Sequence, residues 1–478
     1  MDENAPKYGA AQAAGSGNVS PRSYTGQTVL ILGAARSGVA AAEFLLSQGA
    51  RVILSDVKNE AALGPALRRL REAALLGGEL ILELGGHEPE SFRRCDLVVI
   101  SPGVPAALPF LEESRRRGIP VMAEMELASR HLKGTIVGIT GSNGKTTTTT
   151  LATEILIAAG SRAYAAGNIG MPLISYVEQS EPGDIYVTEV SSFQLECIFD
   201  FRPRVAALLN LSPDHLDRYP GFEEYANAKR RIFMNQTAGD LAVLNADDER
   251  VSSLAAGIGA TCLFFSRRSE PAWGTFIRGE RAVYRNPHEE LWLFDLAEVR
   301  VKGVHNLENA LAACAVTLPV GATGQAIRSV IRSFQGVEHR LEWVAEIDGV
   351  GYFNDSKATN VDAAVKSLEA FPGGVLWIAG GRDKGGDFTR LRELVRRKAV
   401  HAVLIGEAAG KIADAVSGLV EVSRAQTLPE AVSLCRRLAR PGQVVLLAPA
   451  CASFDMFQNY EERGRVFKQA VGGLQGSE

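Results

Sequence analysis

The sequence predicts an α/β protein of three domains, each a mostly parallel sheet flanked by helices. Three observations predict it. Short apolar, β-branched runs alternate with amphipathic helical runs, the pattern of doubly wound parallel sheets. At 478 residues the chain exceeds what one ordinary core accommodates. Polar, glycine-bearing segments follow the apolar runs in all three blocks, at the strand ends where open parallel sheets hold ligands. The first and third blocks read as Rossmann-like and the second as P-loop ATPase-like. The expected boundaries are a disordered tail at 1–23 and domains at 24–123, 124–336 and 337–478.

Composition narrows the function classes. Hydrophobic residues make up 46% of the chain, ample for burial, and the net charge is −4. Arginine is scattered, and the runs Arg68-Arg69, Arg115 to Arg117 and Arg396-Arg397 read as solvated helix faces. A nucleic-acid surface is therefore not expected. The six cysteines form no Cys-x-x-Cys pair and no Cys/His metal spacing, which fits free thiols in a reducing compartment. No apolar run approaches the ~18 residues of a membrane span. Residues 1–23 are rich in Ala, Gly, Ser and Asn and lack the apolar core of a secretory signal. A cytoplasmic monomer is expected.

In the first block, Gln27 to Gly33 reads as a buried strand, Ala40 to Gln48 as a helix, and Arg51 to Ser55 as a strand ending at Asp56. Asp96 to Ile100 is a further strand, followed by Ser101-Pro102-Gly103. The segment Gly33-Ala34-Ala35-Arg36-Ser37-Gly38 approaches the dinucleotide fingerprint but has Ala35 in place of the second glycine. It is compatible with a nucleotide-diphosphate site, a hydride-transfer domain or a plain strand–helix turn.

The second block carries the strongest signal. The run Gly134 to Ile139 precedes Thr140-Gly141-Ser142-Asn143-Gly144-Lys145-Thr146, and a helical run from Thr147 to Ala159 follows. Strand, glycine loop with Lys-Thr, then helix is a triphosphate cradle. Glycines turn backbone N–H groups inward, and the helix N-terminus adds partial positive charge. Lys145 can reach β/γ phosphates, and the Thr146 hydroxyl can ligate Mg²⁺. Ile139 stands where the longer form of the motif has glycine. Strands Asp184 to Thr188 and Val205 to Asn210 come next. Glu189, at the first strand's end, suits a second Mg²⁺ or a water-positioning role; an ordinary helix-start acid is the alternative. Asp214, His215, Asp217 and Arg218 crowd the loop after the second. Lys229, in the helical run Tyr225 to Phe233, reads as a solvated helix lysine. Asn306 and Asn309 share a face of the helix opened by His305, to read a base edge or to cap the helix.

In the third block three polar loops follow strands: Asn354 to Asn360, Gly380 to Gly386 and Ala450 to Asp455, the last leading to Tyr460. Strands Gly374 to Ala379, Ala402 to Ile405 and Val444 to Leu447 suggest another open parallel sheet. Lys, Arg and hydroxyl groups on such loops suit carboxylate recognition and a second substrate pocket. Candidate residues at strand ends in every block point to a shared site, with closure as part of the mechanism.

Together these motifs resemble the Mur ligases of peptidoglycan synthesis, from about Thr25 onward. The Thr140 to Thr146 loop, the Glu189 block, Asp214-His215, Lys229 and His305 to Asn309 are similar to motifs found across that family. Asn354 to Asn360, Ser101 to Gly103, Ala450 to Asp455 and Asn459 to Gly464 resemble its D-glutamate-adding branch. The resemblance implies an ATP-dependent amide-bond-forming ligase with two Mg²⁺ sites, UDP-N-acetylmuramoyl-L-alanine and D-glutamate being the substrates. It implies that Gly141, Ser142, Asn143, Gly144, Lys145, Thr146, Thr147, Asn309, Arg340 and Asp355 contact ATP. It further implies that Thr146, Glu189, His215 and a carbamylated Lys229 serve Mg²⁺, with Lys145, Glu189, His215 and Lys229 catalytic. Ser37, Asp56, Gly103, Asn168 and His215 would meet the UDP-substrate. Thr359, Lys384, Ser453 and Tyr460 would surround D-glutamate. Val57-Lys58, Arg382-Asp383 and Tyr460 depart from the family pattern. A folylpolyglutamate synthase lacks a full α/β domain before the phosphate loop, and a dehydrogenase leaves Lys145-Thr146 unexplained. The intact Lys145, Glu189, His215 and Lys229 argue against a non-catalytic relative.

Overall fold

A computed structural model describes residues 23–75, 77–212, 218–301, 303–383 and 385–475. The expected tail up to residue 22, Asp214, His215 and Lys384 lie outside the described residues. The strands form three sheets, as expected of three α/β domains. The chain divides into two compact units. The first takes in residues up to Gly141, Arg162–Ala242 and Ala256–Thr261; the second Ser142–Ser161, Val243–Ala255 and the chain from Cys262 on.

The first unit opens with β1 (Thr28–Leu32), β2 (Arg51–Asp56), β3 (Glu79–Leu84), β4 (Leu97–Ile100) and β5 (Val121–Ala123), in the order β3-β2-β1-β4-β5. Their pairings are parallel. Val29 to Leu32 are buried on both faces, which is why β1 reads as an unbroken apolar run. β2 and β4 flank β1, so the strand order reverses at its carboxyl end, where Gly33 and Ser101 meet. The helix here spans Arg36–Ser47 and starts earlier than the periodicity predicts, because Arg36 and Ser37 already complete its first turn.

The same unit holds β6 (Thr135–Thr140), β7 (Ala163–Gly167), β8 (Ile185–Glu189) and β9 (Val205–Leu208), parallel in the order β7-β8-β6-β9. Two buried carboxylates brace the segment after β5. Glu124 Oε1 accepts the Ile174 N–H at 2.6 Å. Glu126 accepts the N–H groups of Phe199, Asp200 and Phe201 and pairs with Arg130 at 2.7 Å. β10 (Leu241–Asn245) begins in the first unit and ends in the second.

In the second unit the Lys145–Ala158 helix packs against the Val304–Thr317 and Gly324–Ser333 helices. β11 (Thr261–Ser266) pairs parallel with β12 (Gly274–Arg278), and β13 (Arg281–Arg285) and β14 (Glu290–Asp295) continue antiparallel. The last sheet contains β15 (Glu342–Ile347), β16 (Val350–Asn354), β17 (Val375–Gly380), β18 (Ala399–Ile405), β19 (Glu421–Arg424) and β20 (Val444–Leu447). Its order is β15-β16-β20-β17-β18-β19. The sheet is mostly parallel, as expected, and at one edge β15 runs antiparallel to β16. Asp348 and Gly349 both take positive φ there, the tight hairpin turn that an Asp-Gly pair favours. Both faces of this sheet are covered, Trp377 and Leu446 lying in one core and Ile378 and Leu447 in the other.

All six cysteines are free thiols. The arginines at 68–69, 115–117 and 396–397 are exposed, as read. Among the described residues no helix is long and apolar enough to cross a membrane.

Candidate active site

The phosphate loop is built by backbone strain that only glycine carries cheaply. Gly141 and Gly144 adopt φ of 154° and 82°. Gly144 is the N-cap of the helix, which therefore begins at Lys145, two residues before the predicted start. A Cβ at Gly144 would lie 2.2 Å from Asn309 Oδ1, so the loop is pressed against Asn309. Asn309 is buried, and its Oδ1 accepts the Thr148 hydroxyl at 3.3 Å. Gly303 is the N-cap of the Val304–Thr317 helix, so neither Asn306 nor Asn309 occupies that position. Asn306 lines a small cleft with Thr147, Leu151, Ala310 and Phe334. Lys145 Nζ donates to the Ser142 carbonyl at 3.0 Å.

Arg340 is brought to this loop from a distant segment: its Nη2 donates to Thr146 Oγ1 at 2.7 Å. It stands between His339 and Leu341, which hold φ of 66° and 44°. Such non-glycine conformations cost roughly 1–3 kcal/mol each and persist only where the surroundings impose them. Here the His339 ring is buried against Gly464 and the Asn354 amide, and Glu342 accepts the His339 N–H at 2.9 Å. Asp355 follows β16. Burial pushes its carboxyl up to about 6, against the opposing effects of the Ser367 hydroxyl and the Arg340 charge.

In the first unit Glu189 ends β8 and is buried. Gly167, at φ 90°, lets the chain pass so close that a Cβ would lie 2.4 Å from the Glu189 carbonyl. Asn168 then binds Glu189 twice, backbone N–H to carbonyl at 3.0 Å and side-chain amide to Oε1 at 2.8 Å. Lys229 corrects the sequence reading: it is 2% exposed, not solvated. Its ammonium lies 4.7 Å from the Tyr225 ring, beside a cluster of Tyr219, Tyr225, Phe193 and Phe222. Asp56 Oδ2 accepts the Ala34 N–H at 2.6 Å and Oδ1 the Lys58 N–H at 2.8 Å, holding the Gly33–Gly38 turn against β2. Ser37 sits half-buried in the first helical turn, and Gly103 is exposed in the loop after β4.

Arg218 received no role from the sequence. Its guanidinium lies 3.7 Å over the Phe193 ring and donates to the carbonyls of Pro102 and Val104, either side of Gly103. The one signal was its place at the end of the charged Asp214–Arg218 loop.

The C-terminal loops are joined. Arg382 and Ala452 exchange backbone hydrogen bonds of 2.9 and 3.1 Å, tying the loop that contains residue 384 to that of Ser453. Gly381 is required at this crossing, since a Cβ would stand 2.2 Å from the Ala452 carbonyl. Ser453 is buried, Thr359 and Tyr460 are half-buried, and Lys357 Nζ lies 3.8 Å over the Tyr460 ring.

Three family descriptions match successive stretches: a Mur ligase MurD-like N-terminal domain at 27–123, a Mur ligase middle domain at 139–317 and a Mur ligase glutamate ligase domain at 339–451. The chain belongs to the Mur ligase family. This Mur ligase is 48% identical to the UDP-N-acetylmuramoylalanine–D-glutamate ligase of Koribacter versatilis over 446 residues, 93% of this chain and 97% of that protein. It is 49% identical to the same-named ligase of Geotalea uraniireducens over 448 residues, again 93% and 97%. In fold it is similar to UDP-N-acetylmuramate-alanine ligase of Thermotoga maritima, with TM-score 0.58, 20% identity and coverage of 95% and 100%. A pseudomurein peptide ligase type C from Methanothermus fervidus gives 0.57, 17%, 94% and 100%. The Glu338–His339–Glu342 cluster of this Mur ligase has metal-ligand composition, yet the Lys468 ammonium already holds both carboxylates, at 2.9 and 2.7 Å.

Proposed function

We infer that this Mur ligase joins D-glutamate to UDP-N-acetylmuramoyl-L-alanine at the expense of ATP, releasing ADP and phosphate, in peptidoglycan synthesis. The near-half identity to D-glutamate ligases over 93% of the chain carries the reading. We take the domain limits as 24–123, 124–336 and 337–478, and the enzyme as a cytoplasmic monomer.

The chemistry follows from a poor acyl donor. A carboxylate oxygen is a bad leaving group, so the alanyl carboxylate takes the γ-phosphoryl group of ATP and becomes an acyl phosphate. The D-glutamate amine attacks its carbonyl carbon, the amine proton passes to solvent or a base, and the C–O bond breaks to release phosphate. In this reading Gly141 to Thr147 cradle the triphosphate, with Lys145 and Arg340 supplying positive charge and Asn309 and Asp355 completing the ATP site. The donor set fits a divalent cation: Thr146 offers a hydroxyl, and Glu189 a buried carboxylate oriented by Asn168. Mg²⁺ at two sites, one served by Thr146 and one by Glu189, His215 and Lys229, would neutralise the phosphate charges. Lys229, 2% exposed, would serve as a carbamate: its amine adds CO₂ and gives up a proton to become a carboxylate-like ligand. Ser37, Asp56, Gly103, Asn168 and His215 receive the UDP-substrate, and Thr359, Lys384, Ser453 and Tyr460 the D-glutamate.

Phosphate release with MgATP, UDP-N-acetylmuramoyl-L-alanine and one amino acid at a time tests the reading. Release with D-glutamate, and not with L-glutamate or meso-diaminopimelate, is expected. Release with a different amino acid would overturn the C-terminal assignment, and no release with any would overturn the ligase reading.

A further inference from the structure

Arg463, in the first turn of the Tyr460–Gln475 helix, is 1% exposed. Its guanidinium is spent on neutral acceptors. Nε donates to Ser356 Oγ at 2.9 Å, Nη2 to the Ser356 carbonyl at 2.8 Å and Nη1 to the Cys451 carbonyl at 3.1 Å. Among the described residues no carboxylate forms an ion pair with it. Asp455 acts on it only at longer range, and burial pulls its pKa down to about 10. A buried cation without a paired acid is expensive, and an apolar side chain of similar volume fills space at lower cost. Packing alone therefore does not account for arginine here.

Its three bonds link segments that are remote in sequence. Ser356 lies on the loop that carries Thr359, and Cys451 on the loop that carries Ser453. Ser356 Oγ accepts from Arg463 and itself donates to the Tyr460 carbonyl at 2.8 Å, so one hydroxyl joins the arginine to the helix start. The backbone exchange between Arg382 and Ala452 adds the third loop, next to Cys451. One planar fork thus sets the spacing of the residues assigned to the amino-acid acceptor.

We propose that Arg463 is the positioning residue of the amino-acid subsite, holding the Thr359, Ser453 and Tyr460 segments in register and thereby setting affinity for a dicarboxylic amino acid. The proposal rests on the reading of those residues as the D-glutamate site. Arg463 acts through Ser356 and Cys451 and need not touch substrate itself.

Kinetics of full-length R463K, R463Q and S356A, with S453A beside them, test it. Lysine keeps charge and bulk but cannot serve three acceptors in one plane, and the loss of one charge-assisted hydrogen bond is worth about tenfold. R463K should raise the KM for D-glutamate about tenfold while the KM values for ATP and the UDP-substrate stay within about twofold. R463Q should raise it further, and S356A, which keeps the cation, should give a smaller rise of the same selectivity. Should R463Q fail to fold, R463K and S356A decide. A structural staple would instead lower the unfolding midpoint and kcat and leave the glutamate KM alone. That pattern, or equal rises in all three KM values, would overturn the proposal while S453A still raises the glutamate KM. An unchanged glutamate KM in S453A would overturn the site reading, and the proposal with it.

Discussion

Glu124 offers a stability test independent of catalysis. It is 2% exposed, Oε1 accepts the Ile174 N–H, and Oε2 has no hydrogen-bond partner among the described residues. Burial dominates and raises the carboxyl from 4.5 to about 7, against the smaller effect of the Ile174 N–H. That difference corresponds to about 3 kcal/mol. The folded state binds the proton more tightly than the unfolded chain, so Glu124 favours folding fully below pH 4.5. The contribution falls as pH rises from there and is gone above pH 7. E124Q has the same shape and no charge at any pH. Urea unfolding of both proteins at matched pH values cancels the other titrating groups. From about pH 5 to about pH 8 the variant should gain roughly 2–3 kcal/mol relative to wild type. In thermal scans that is several degrees, at about 2–4 °C per kcal/mol for a unit of a couple of hundred residues. Parallel pH dependence in the two proteins would refute the argument that desolvation governs this carboxyl.

Three further outcomes are expected. K229A should lose at least about 100-fold in kcat, as loss of a metal-supporting group does, and regain part of it with short carboxylic acids; full activity, or no rescue, would remove the carbamate role. G144A places a Cβ 2.2 Å from Asn309 Oδ1 in a backbone at φ 82°, so the KM for ATP should rise at least about tenfold; an unchanged KM would mean the loop tolerates a shift. N168A removes an amide that donates to Glu189 Oε1 at 2.8 Å, a bond to a charged group worth about 1.5–3 kcal/mol. Its activity should need about tenfold more Mg²⁺, and an unaltered Mg²⁺ titration would separate Asn168 from the metal site.

What the chain discloses and what it conceals divide along a physical line. The phosphate loop, the acid ending β8 and the polar loops of the last sheet are legible because chemistry and strand–turn–helix punctuation coincide in a few consecutive residues. The strands β11 to β14 went unread, since segments such as Glu290–Asp295 mix charged ends with apolar centres and lack a strand–helix rhythm. The β15–β16 hairpin was signalled by Asp348-Gly349, a local cue masked by the expectation of parallel strands. The hardest residues are basic ones. Lys229 and Arg463 sit in helical runs dense with charge, where a cation ordinarily faces water. Tyr225, one turn earlier in the same helix, lies beside the Lys229 ammonium, whereas Ser356 and Cys451 come to Arg463 from remote loops. Arg340 likewise reaches Thr146 only because His339 and Asn354 hold a strained backbone in place. No window of neighbouring residues contains the partners of Arg463 or Arg340. A buried cation costs free energy that packing does not return, so its presence in a folded chain marks a position kept for charge or for geometry. For Lys229 that is the position proposed above for the carbamate ligand, and for Arg463 a fork whose loss should be felt in glutamate affinity before it is felt in the fold.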